Sequence, residues 1–435
     1  MTQETENLIE LRTVVRGEVA LPGDDGFDER STPWNIAVDQ RPIAVVDAAD
    51  AEDVAALVAF AARNGLPIIV QPGGHGATGA ATGAIVLRTS HLTTLSVNAF
   101  DGIARVGAGI SAGALQEAAA AAGFTALAGS SPIVNVVALA LGGGLSWFGR
   151  KYGWVADSIR ALEVVTPQGE HRRVTEESDA DLFWALRGGG GHAAVVTLVE
   201  LQLHEAAQFA GGRIMWSGEH TAAVVDAFAS LTSDAPDELT IWLEILSFPG
   251  APPFVALDVA YLGSNTELRE LLRLDALPEP LRDGVRDMPL ADIGTIADEP
   301  TDPSPGITQV ELLRTLDSDV REALASASPA PAMIVQVRPL GGAFAAPSNT
   351  PLGALTEPYL ISLFSSPRDE DAAAAIQESH ARLVAQLPVT GRKVPTFLQG
   401  GDSLDNVYDG EALERLRRIV EQRDPQVLIR TEHAL

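Results

Sequence analysis

The chain has 435 residues, of which 46% are hydrophobic and 20% are charged, a balance typical of folded globular proteins and not of disordered ones. Its 58 acidic and 30 basic residues give a formal charge of -28, which argues against nucleic acid or anionic membranes as partners. Without cysteine, the chain has no disulfides, thiolate nucleophiles or cysteine metal sites.

The N-terminal segment has no basic region ahead of an apolar core, so we expect no signal peptide and a cytoplasmic location. Residues 118–149 carry no formal charge, which is long enough for a membrane span. Turn-forming residues interrupt this run, notably GSSP at 129–132 and the glycines at 142–144. We interpret it as a buried part of a water-exposed fold, with a membrane span as the minor alternative.

The first predicted elements form a βαβ unit. Residues 43–46 predict a short strand, and Asp50 caps a helix that ends at Gly65. A second strand over 66–70 leads directly into the loop QPGGHGATG at 71–79. Glycine-rich loops at strand ends are where α/β folds bind ligands, so we expect a ligand here.

Further along, glycine-rich loops alternate with helices and strands. The sequence predicts a helix from Ser111 to Gly123, a strand over 159–165 and a helix, glycine loop and strand over 181–205. From about 206 to 395 these loops disappear, and strands such as 239–248 and 254–263 alternate with helices. Two lobes are therefore expected, and the tail carries one more helix.

Four loops share an abundance of glycine: 71–79, 107–113, 142–144 and 188–191. Glycine lets backbone N–H groups approach a ligand closely, so several such loops in one lobe predict a large ligand, such as a dinucleotide. None has the spacing of a Rossmann turn or a P-loop. The alternative is that these glycines serve only tight turns.

His75 lies between Gly74 and Gly76. Small neighbours leave the ring accessible and conformationally free, so that a ring nitrogen can reach a ligand. A histidine with a structural role would more often pack against neighbouring side chains. We therefore favour a functional role for His75.

These motifs, in this order, resemble the FAD-dependent oxidoreductases of the vanillyl-alcohol oxidase and berberine bridge enzyme group, which have a PCMH-type FAD-binding domain. The chain looks similar to bacterial members such as the 6-hydroxynicotine oxidases and the sugar and polyketide-tailoring oxidases. The resemblance spans nearly the whole chain and rests on PGGH at 72–75, VGAG at 106–109, the run 129–159, DLFWALRGGGG at 181–191 and the tail from Tyr408.

The resemblance implies an α+β fold with two lobes, in which helices cover the antiparallel sheet of the substrate domain. It places the FAD-binding PCMH-type domain at 1–205, the substrate-binding domain at 206–395 and a C-terminal segment that returns to the FAD domain at 396–435. No metal is implied. Residues expected to bind the cofactor are Pro72, Gly73, Gly74, His75, Gly76, Ala77, Ser130, Ser131, Val134, Gly142, Gly143, Gly144, Tyr152, Gly153, Asp157 and Val195.

In this family the histidine of the GGH loop bonds covalently to the flavin, so the resemblance implies FAD attached through His75. Some members add a cysteine link at the position of Ser131. Because the chain has no cysteine, at most one covalent link is possible.

Departures from the family concern the loops that face the cofactor. Asn135 and Ala138 replace glycines where backbone should approach phosphate, and His192 replaces an asparagine of the GGGNFG loop. We expect His192 either to lie near the cofactor or to be a surface substitution without functional effect. These replacements predict an unusual geometry for the bound FAD. The resemblance still implies that FAD is bound.

The family reaction transfers hydride from a substrate C–H bond to flavin N5, with a base that removes a neighbouring proton and dioxygen as a common acceptor. The family tyrosine near the C-terminus is missing, because the matching stretch has Gln399. Tyr408 and Glu244 are the other candidates for catalytic roles. Glu244 shares a strand face with Trp242, so it either points into the substrate cavity with a raised pKa or is an exposed strand glutamate.

We therefore predict an FAD-linked oxidoreductase, an oxidase or a dehydrogenase, acting on a small alcohol, amine or sugar of secondary metabolism. Two alternatives use the same scaffold. One is a redox-neutral cyclase, favoured by loss of the tyrosine. The other is a flavin-free binding protein, favoured by Asn135 and Ala138.

Overall fold

The computed structural model describes residues 3–248, 250–327 and 334–435. The strands are β1 Glu18–Ala20, β2 Ala44–Asp47, β3 Ile68–Val70, β4 Ile85–Arg88, β5 Leu95–Asn98, β6 Ile103–Gly107, β7 Phe124–Thr125, β8 Ile159–Val165, β9 His171–Val174, β10 Val195–Gln202, β11 His204–Glu205, β12 Ala210–Ser217, β13 Leu239–Leu246, β14 Phe254–Tyr261, β15 Arg282–Asp283, β16 Arg286–Asp287, β17 Ile307–Leu313, β18 Ile334–Pro339, β19 Tyr359–Ser365 and β20 Ile429–Arg430.

The helices are α1 Gln3–Val14, α2 Phe27–Ser31, α3 Ala51–Asn64, α4 Ala112–Ala121, α5 Val136–Leu141, α6 Gly149–Tyr152, α7 Ala180–Leu186, α8 Thr221–Ser233, α9 Asn265–Leu272, α10 Ser318–Ser326, α11 Glu370–Val384 and α12 Gly410–Arg423. The predicted start and end of α3 are confirmed. Asp50 accepts a hydrogen bond from the backbone N–H of Asp53, and Gly65 ends the helix at a φ of 63°.

The first sheet has the strand order β1-β2-β4-β3-β20. Strand β1 is antiparallel to β2, and the other neighbours are parallel. Strand β3 delivers the chain into the loop at 71–79, as predicted. Because β20 pairs with β3, the C-terminal tail lies beside the same loop.

The second sheet is antiparallel, with the order β5-β6-β10-β8-β9. Residues 118–149, the uncharged run, contribute to α4, β7 and α5 and to the loops between them. Within the described residues, no helix has both the length and the apolar character that crossing a membrane requires. The run instead supplies buried residues to the core of this lobe.

The third sheet belongs to the second lobe and is antiparallel, with the order β15-β12-β14-β13-β18-β19-β17, and β16 also pairs with β12. Side chains alternate between its faces. Leu243 on β13 joins a core with residues of α8 and α10. On the other face, Thr240 donates a hydrogen bond to the carbonyl oxygen of Trp147 (2.5 Å), and Trp242 stacks on Trp147 with ring centroids 3.5 Å apart.

This face of the third sheet therefore contacts the first lobe.

The mixed helices and antiparallel sheets confirm the predicted α+β class.

Candidate functional site

A cavity of about 310 Å³ lies in the first lobe, within the size range of small-molecule sites. Its walls come from the loop after β3, the segment around α5, the glycine loop before β10, the segment 395–408 and the C-terminal residues 430–433. Chain segments that are far apart in sequence therefore meet at one site. Its lining includes the apolar residues Val70, Val137, Leu139, Leu141, Val196 and Leu398.

His75 borders this cavity, but its ring is not conformationally free. It stacks on Trp34, with ring centroids 4.5 Å apart and an interplanar angle of 14°. Gly74 has a φ of 80°, and a Cβ atom there would lie 2.6 Å from Cβ of Pro33. The expectation of a free ring is thus wrong: glycine allows the loop to pack against Pro33 and Trp34, which fixes the ring beside the cavity.

The Nε2 atom of His75 is buried and has no hydrogen-bond partner in the part of the chain that the structure describes. Burial lowers the pKa of the ring to about 4, so His75 is neutral at neutral pH. A neutral ring retains a nitrogen lone pair. A buried polar atom without a partner at a cavity wall fits a bond to a ligand, as expected for a flavin held at this position.

The C-terminal tail holds the loop that carries His75. The carboxylate of Glu432 accepts hydrogen bonds from the backbone N–H of Thr78 (2.8 Å), from Oγ1 of Thr78 (3.0 Å) and from Nε2 of Gln71 (3.0 Å). Glu432 was not predicted from the sequence as part of the site. No local pattern marks it, because its partners are more than 350 residues away.

His192 lines the same cavity and is therefore not a replacement on the outer surface. Its Nδ1 lies 3.0 Å from Oγ1 of Thr431, which itself donates to the carbonyl oxygen of His433 (2.7 Å). Because the single hydroxyl proton is used in that bond, Nδ1 of His192 is the donor to Thr431. Burial, with a smaller contribution from His433, lowers the pKa of His192 to about 4.

Asn135 and Ala138 also line the cavity, at the start of α5. Oδ1 of Asn135 accepts a hydrogen bond from the backbone N–H of Ala138 (2.9 Å), and its Nδ2 donates to the carbonyl oxygen of Ala108 (2.6 Å). Asn135 is therefore the N-cap of α5. In a glycine-rich segment this backbone N–H group would have no side-chain acceptor. Here the side chain of Asn135 accepts the hydrogen bond from the N–H of Ala138.

The structure brings only part of the predicted cofactor set to the cavity. The predicted residues that line it are Pro72, Gly73, Gly74, His75, Gly76, Ala77, Val134 and Gly142. The predicted residues that do not line it are Ser130, Ser131, Gly143, Gly144, Tyr152, Gly153, Asp157 and Val195.

Several of the remaining residues have structural contacts instead. A Cβ atom on Gly143 would lie 2.5 Å from Leu352, and one on Gly144 would lie 2.6 Å from Val155. Tyr152 stacks on His204 with ring centroids 3.7 Å apart. Packing against these neighbours therefore accounts for the two glycines and for Tyr152.

Two further predicted residues, Asp157 and Val195, also have structural partners. Asp157 accepts hydrogen bonds from the backbone N–H of Trp154 (3.0 Å) and from the hydroxyl of Ser348 (2.6 Å). Val195 is fully buried in β10.

The loop 107–113 contributes less to the cavity than the glycine pattern suggested, because only Ala108 lines it. A Cβ atom on Gly107 would lie 2.2 Å from the carbonyl oxygen of Leu92, and one on Gly109 would lie 2.5 Å from that of Thr89. In this loop glycine therefore serves close backbone packing, which was the alternative considered.

Tyr408, a candidate catalytic residue, lines the cavity. Its hydroxyl donates a hydrogen bond to the carbonyl oxygen of Gly188 (2.9 Å), and burial raises its pKa well above the usual value. The hydroxyl is thus engaged and protonated at neutral pH.

Glu244 is buried, with 3% of its surface exposed, so the alternative of an exposed strand glutamate is wrong. Nε2 of Gln336 donates to its Oε1 (2.6 Å), and an amino group of Arg213 donates to its Oε2 (2.5 Å). Arg213 also donates to Asp258 (2.6 Å). Burial, reinforced by Asp258, raises the pKa of Glu244 to about 8, and burial raises that of Asp258 as well.

Gln399, the third catalytic candidate, borders a different and more open cavity of about 690 Å³. This second cavity lies between the first lobe at 35–39 and 77–78 and the edge strand β17. Ala77 borders both cavities, so they are neighbours. The structure thus places Tyr408 and Gln399 around adjoining spaces, whereas Glu244 lines neither of them.

Comparison with known proteins points to one family. The family described as FAD binding domain matches residues 42–175. The (R)-6-hydroxynicotine oxidase of Paenarthrobacter nicotinovorans is 34% identical over 281 residues, which make up 62% of this chain and 60% of that relative. The aligned part is therefore less than two thirds of the length of that relative.

Solved structures extend the likeness over nearly the full chain. The crystal structure of 6-hydroxy-D-nicotine oxidase from Arthrobacter nicotinovorans has a TM-score of 0.83 at 26% identity and covers 96% of this chain and 97% of that one. BBE-like 1 of Physcomitrella patens has a TM-score of 0.87 at 21% identity, with 99% and 98% covered. The second likeness shows the fold alone.

Proposed function

Because the chain belongs to the FAD-linked oxidoreductases of the vanillyl-alcohol oxidase and berberine bridge enzyme group, which have a PCMH-type FAD-binding domain, we propose that it oxidises a small alcohol, amine or sugar. The observation that carries the proposal is the position of His75, which borders the glycine-lined cavity with a neutral ring whose Nε2 has no hydrogen-bond partner among the described residues. When bound, the flavin accepts a hydride from the substrate C–H bond.

We propose that FAD is attached covalently and once, through His75. Stacking on Trp34 orients the ring, and Glu432 holds the loop at Thr78 and Gln71. A fixed ring loses little freedom when it forms a bond, which favours attachment. The apolar lining excludes water from the reacting atoms, and dioxygen is the proposed acceptor.

The second cavity is the proposed substrate site. It adjoins the cofactor cavity at Ala77, and Gln399 lies in its wall. An amide cannot take up a proton but donates and accepts hydrogen bonds, so Gln399 is proposed to orient the substrate.

Tyr408 lines the cofactor cavity as a protonated group that donates to Gly188, so we propose that it accepts a proton only after this bond breaks and the hydroxyl ionises, which its raised pKa opposes. Glu244 stays a proposed candidate for the base, although it lines neither cavity and both of its carboxylate oxygens accept hydrogen bonds from Arg213 and Gln336.

We propose three domains, and the arrangement of the sheets supports this division. Residues 1–205 bind FAD, residues 206–395 contain the third sheet and bind substrate, and residues 396–435 return to the first lobe through β20. A cytoplasmic location is part of the same proposal, and cell fractionation tests it.

The first test asks whether the flavin stays attached to the protein after denaturation. The purified protein is expected to be yellow, and after acid denaturation the colour should stay with the pellet. In His75→Ala the colour should move to the supernatant, while His171→Ala, which changes an exposed histidine, should behave like the wild type. Flavin that separates from the denatured wild type would contradict covalent attachment.

The same preparation tests the reaction. Alcohols, amines and sugars are added without oxygen, and bleaching of the flavin absorption is followed. Colour should return in air. If none of these substrates bleaches the flavin, the proposed oxidation is refuted.

A redox-neutral enzyme is the second candidate. The observation in its favour is that both carboxylate oxygens of Glu244 and the proton of Tyr408 are already engaged in hydrogen bonds. Such an enzyme would bind FAD and convert its substrate without consuming oxygen or bleaching the flavin. Oxygen uptake during turnover distinguishes the two candidates.

A further inference from the structure

An ion pair lies in the wall of the second cavity. Nζ of Lys393 donates hydrogen bonds to Oε1 of Glu311 (2.7 Å) and to the backbone carbonyl oxygen of Val310 (2.8 Å). The same nitrogen lies 4.0 Å from Oδ1 of Asp402. All four residues line the cavity. The pair therefore connects β17 with the segment that carries Gln399, the other side of the same wall.

The carboxylate of Glu311 has one engaged oxygen and one free oxygen. Its Oε1 accepts hydrogen bonds from Lys393 and from Nε2 of Gln309 (3.2 Å). Its Oε2 accepts none from the residues that the structure describes, yet it is not sealed from solvent. Only 7% of Glu311 is exposed. A nearly buried carboxylate oxygen without a partner at a cavity wall points to a donor group on a ligand.

The charges in this wall indicate which kind of donor fits. Two carboxylates, those of Glu311 and Asp402, surround one ammonium, so the three groups carry one negative charge in excess. Among the described residues of this wall, Lys393 is the only lysine or arginine. His380 also lines the cavity and is neutral at neutral pH, because burial lowers its pKa to about 4. A cation is therefore attracted to this cavity and an anion is repelled.

We propose that Glu311 binds a protonated amino group of the substrate and that Lys393 is the positioning residue that holds its carboxylate. The ammonium group of a substrate can donate to Oε2 of Glu311 and offset the excess charge, which a neutral hydroxyl cannot do. Because Lys393 and Gln309 fix Oε1, little freedom is lost when Oε2 binds the substrate. The proposal rests on the proposed function and narrows its substrate class to compounds with a basic amino group.

The test uses the holoprotein and two probes of similar shape. Benzylamine is a cation at neutral pH, and benzyl alcohol is its neutral analogue. Both are titrated without oxygen, and binding is followed by calorimetry and by Tm. The variants are Glu311→Gln, Lys393→Met and, as a control with the same charge change at an exposed position of α12, Glu421→Gln.

Glu311→Gln should weaken benzylamine binding by about tenfold or more, because a charged acceptor is replaced by a neutral one. Its affinity for benzyl alcohol should change by less than about threefold. Glu421→Gln should match the wild type with both probes. If Glu311→Gln does not fold, Glu311→Asp takes its place, because it keeps the charge but withdraws the oxygens from the cavity, and benzylamine binding should weaken again.

Lys393→Met separates binding from stability. Without probe its Tm should fall, because Glu311 loses its cationic partner. Its affinity for benzylamine should equal or exceed that of the wild type, because the competing cation is gone. An ion pair that only holds the two segments together would lower Tm in both variants and leave the preference for benzylamine unchanged.

Equal affinity of the wild type for the two probes would overturn the proposal. Wild-type affinity for benzylamine in Glu311→Gln, or a parallel loss of affinity in Glu311→Gln and Lys393→Met, would overturn it as well. A yellow protein that oxidises alcohols or sugars and binds both probes equally would keep the proposed function and refute this inference. A colourless protein that still prefers benzylamine would refute the proposed function and leave the cation site intact.

Discussion

Replacing Glu432 by alanine should loosen the loop that carries His75. The wild-type carboxylate accepts hydrogen bonds from the backbone N–H of Thr78 at 2.8 Å and from Nε2 of Gln71 at 3.0 Å, and both are lost. The hydroxyl of Thr78 keeps an acceptor, because it also donates to the backbone carbonyl oxygen of residue 432 (3.0 Å).

The expected cost follows from this count of bonds. Two hydrogen bonds to a charged acceptor would contribute about 3 to 6 kcal/mol if the site were fully buried. Glu432 is only half-buried, so water replaces part of the loss, and we expect the free energy of unfolding to fall by about 2 kcal/mol. Glu432→Gln, which keeps one acceptor oxygen, should lose about half as much.

Urea denaturation of Glu432→Ala, Glu432→Gln and the wild type measures this cost, and the fraction of flavin retained in the acid-denatured pellet reports on His75. Glu421→Ala, at an exposed position on α12, is the control. Both the unfolding free energy and the retained flavin should decrease in the order wild type, Glu432→Gln, Glu432→Ala. Wild-type values in Glu432→Ala would refute the reasoning that the tail holds the loop.

Tyr408→Phe should cost about 1 kcal/mol of stability through the lost bond to Gly188 and reduce kcat less than tenfold, because the hydroxyl is engaged; a loss of kcat above a hundredfold would make Tyr408 the base. Gly143→Ala should destabilise the protein by about 2 kcal/mol, measured by urea denaturation, because its φ of 88° and the contact with Leu352 both disfavour a Cβ atom. His380 is buried, which lowers its pKa from 6.5 to about 4, so its native ring stays neutral while the unfolded ring takes up a proton. Stability from this group is therefore present above pH 6.5 and lost towards pH 4, by about 3 kcal/mol, and His380→Gln should flatten the measured pH dependence in this window.

Local patterns along the chain were enough to predict several elements. The cap at Asp50, the end of α3 at Gly65 and the delivery of β3 into the loop of His75 depend on neighbours within a few residues. The shared strand face of Trp242 and Glu244 likewise follows from the two-residue period of a strand, whereas the burial of Glu244 does not, since both faces of this strand are buried.

Glycine was a less reliable guide, because it has two uses that the sequence does not distinguish. Around Gly74 it allows a backbone conformation that brings the loop to the cavity, whereas at Gly107 and Gly143 it allows close packing away from the cavity. Which use applies depends on the atoms opposite each glycine. Those atoms belong to distant segments, such as Leu92 and Leu352.

The sequence by itself thus determined the α+β class, the similarity to the FAD-binding family over residues 42–175 and the loop that carries His75, because these depend on local periodicity and on short motifs. Only the tertiary structure decided that Trp34 fixes that ring and that Glu432 holds its loop. The physical reason is distance along the chain. Burial, hydrogen-bond partners and charge balance are properties of the folded neighbourhood, which is assembled here from residues hundreds of positions apart.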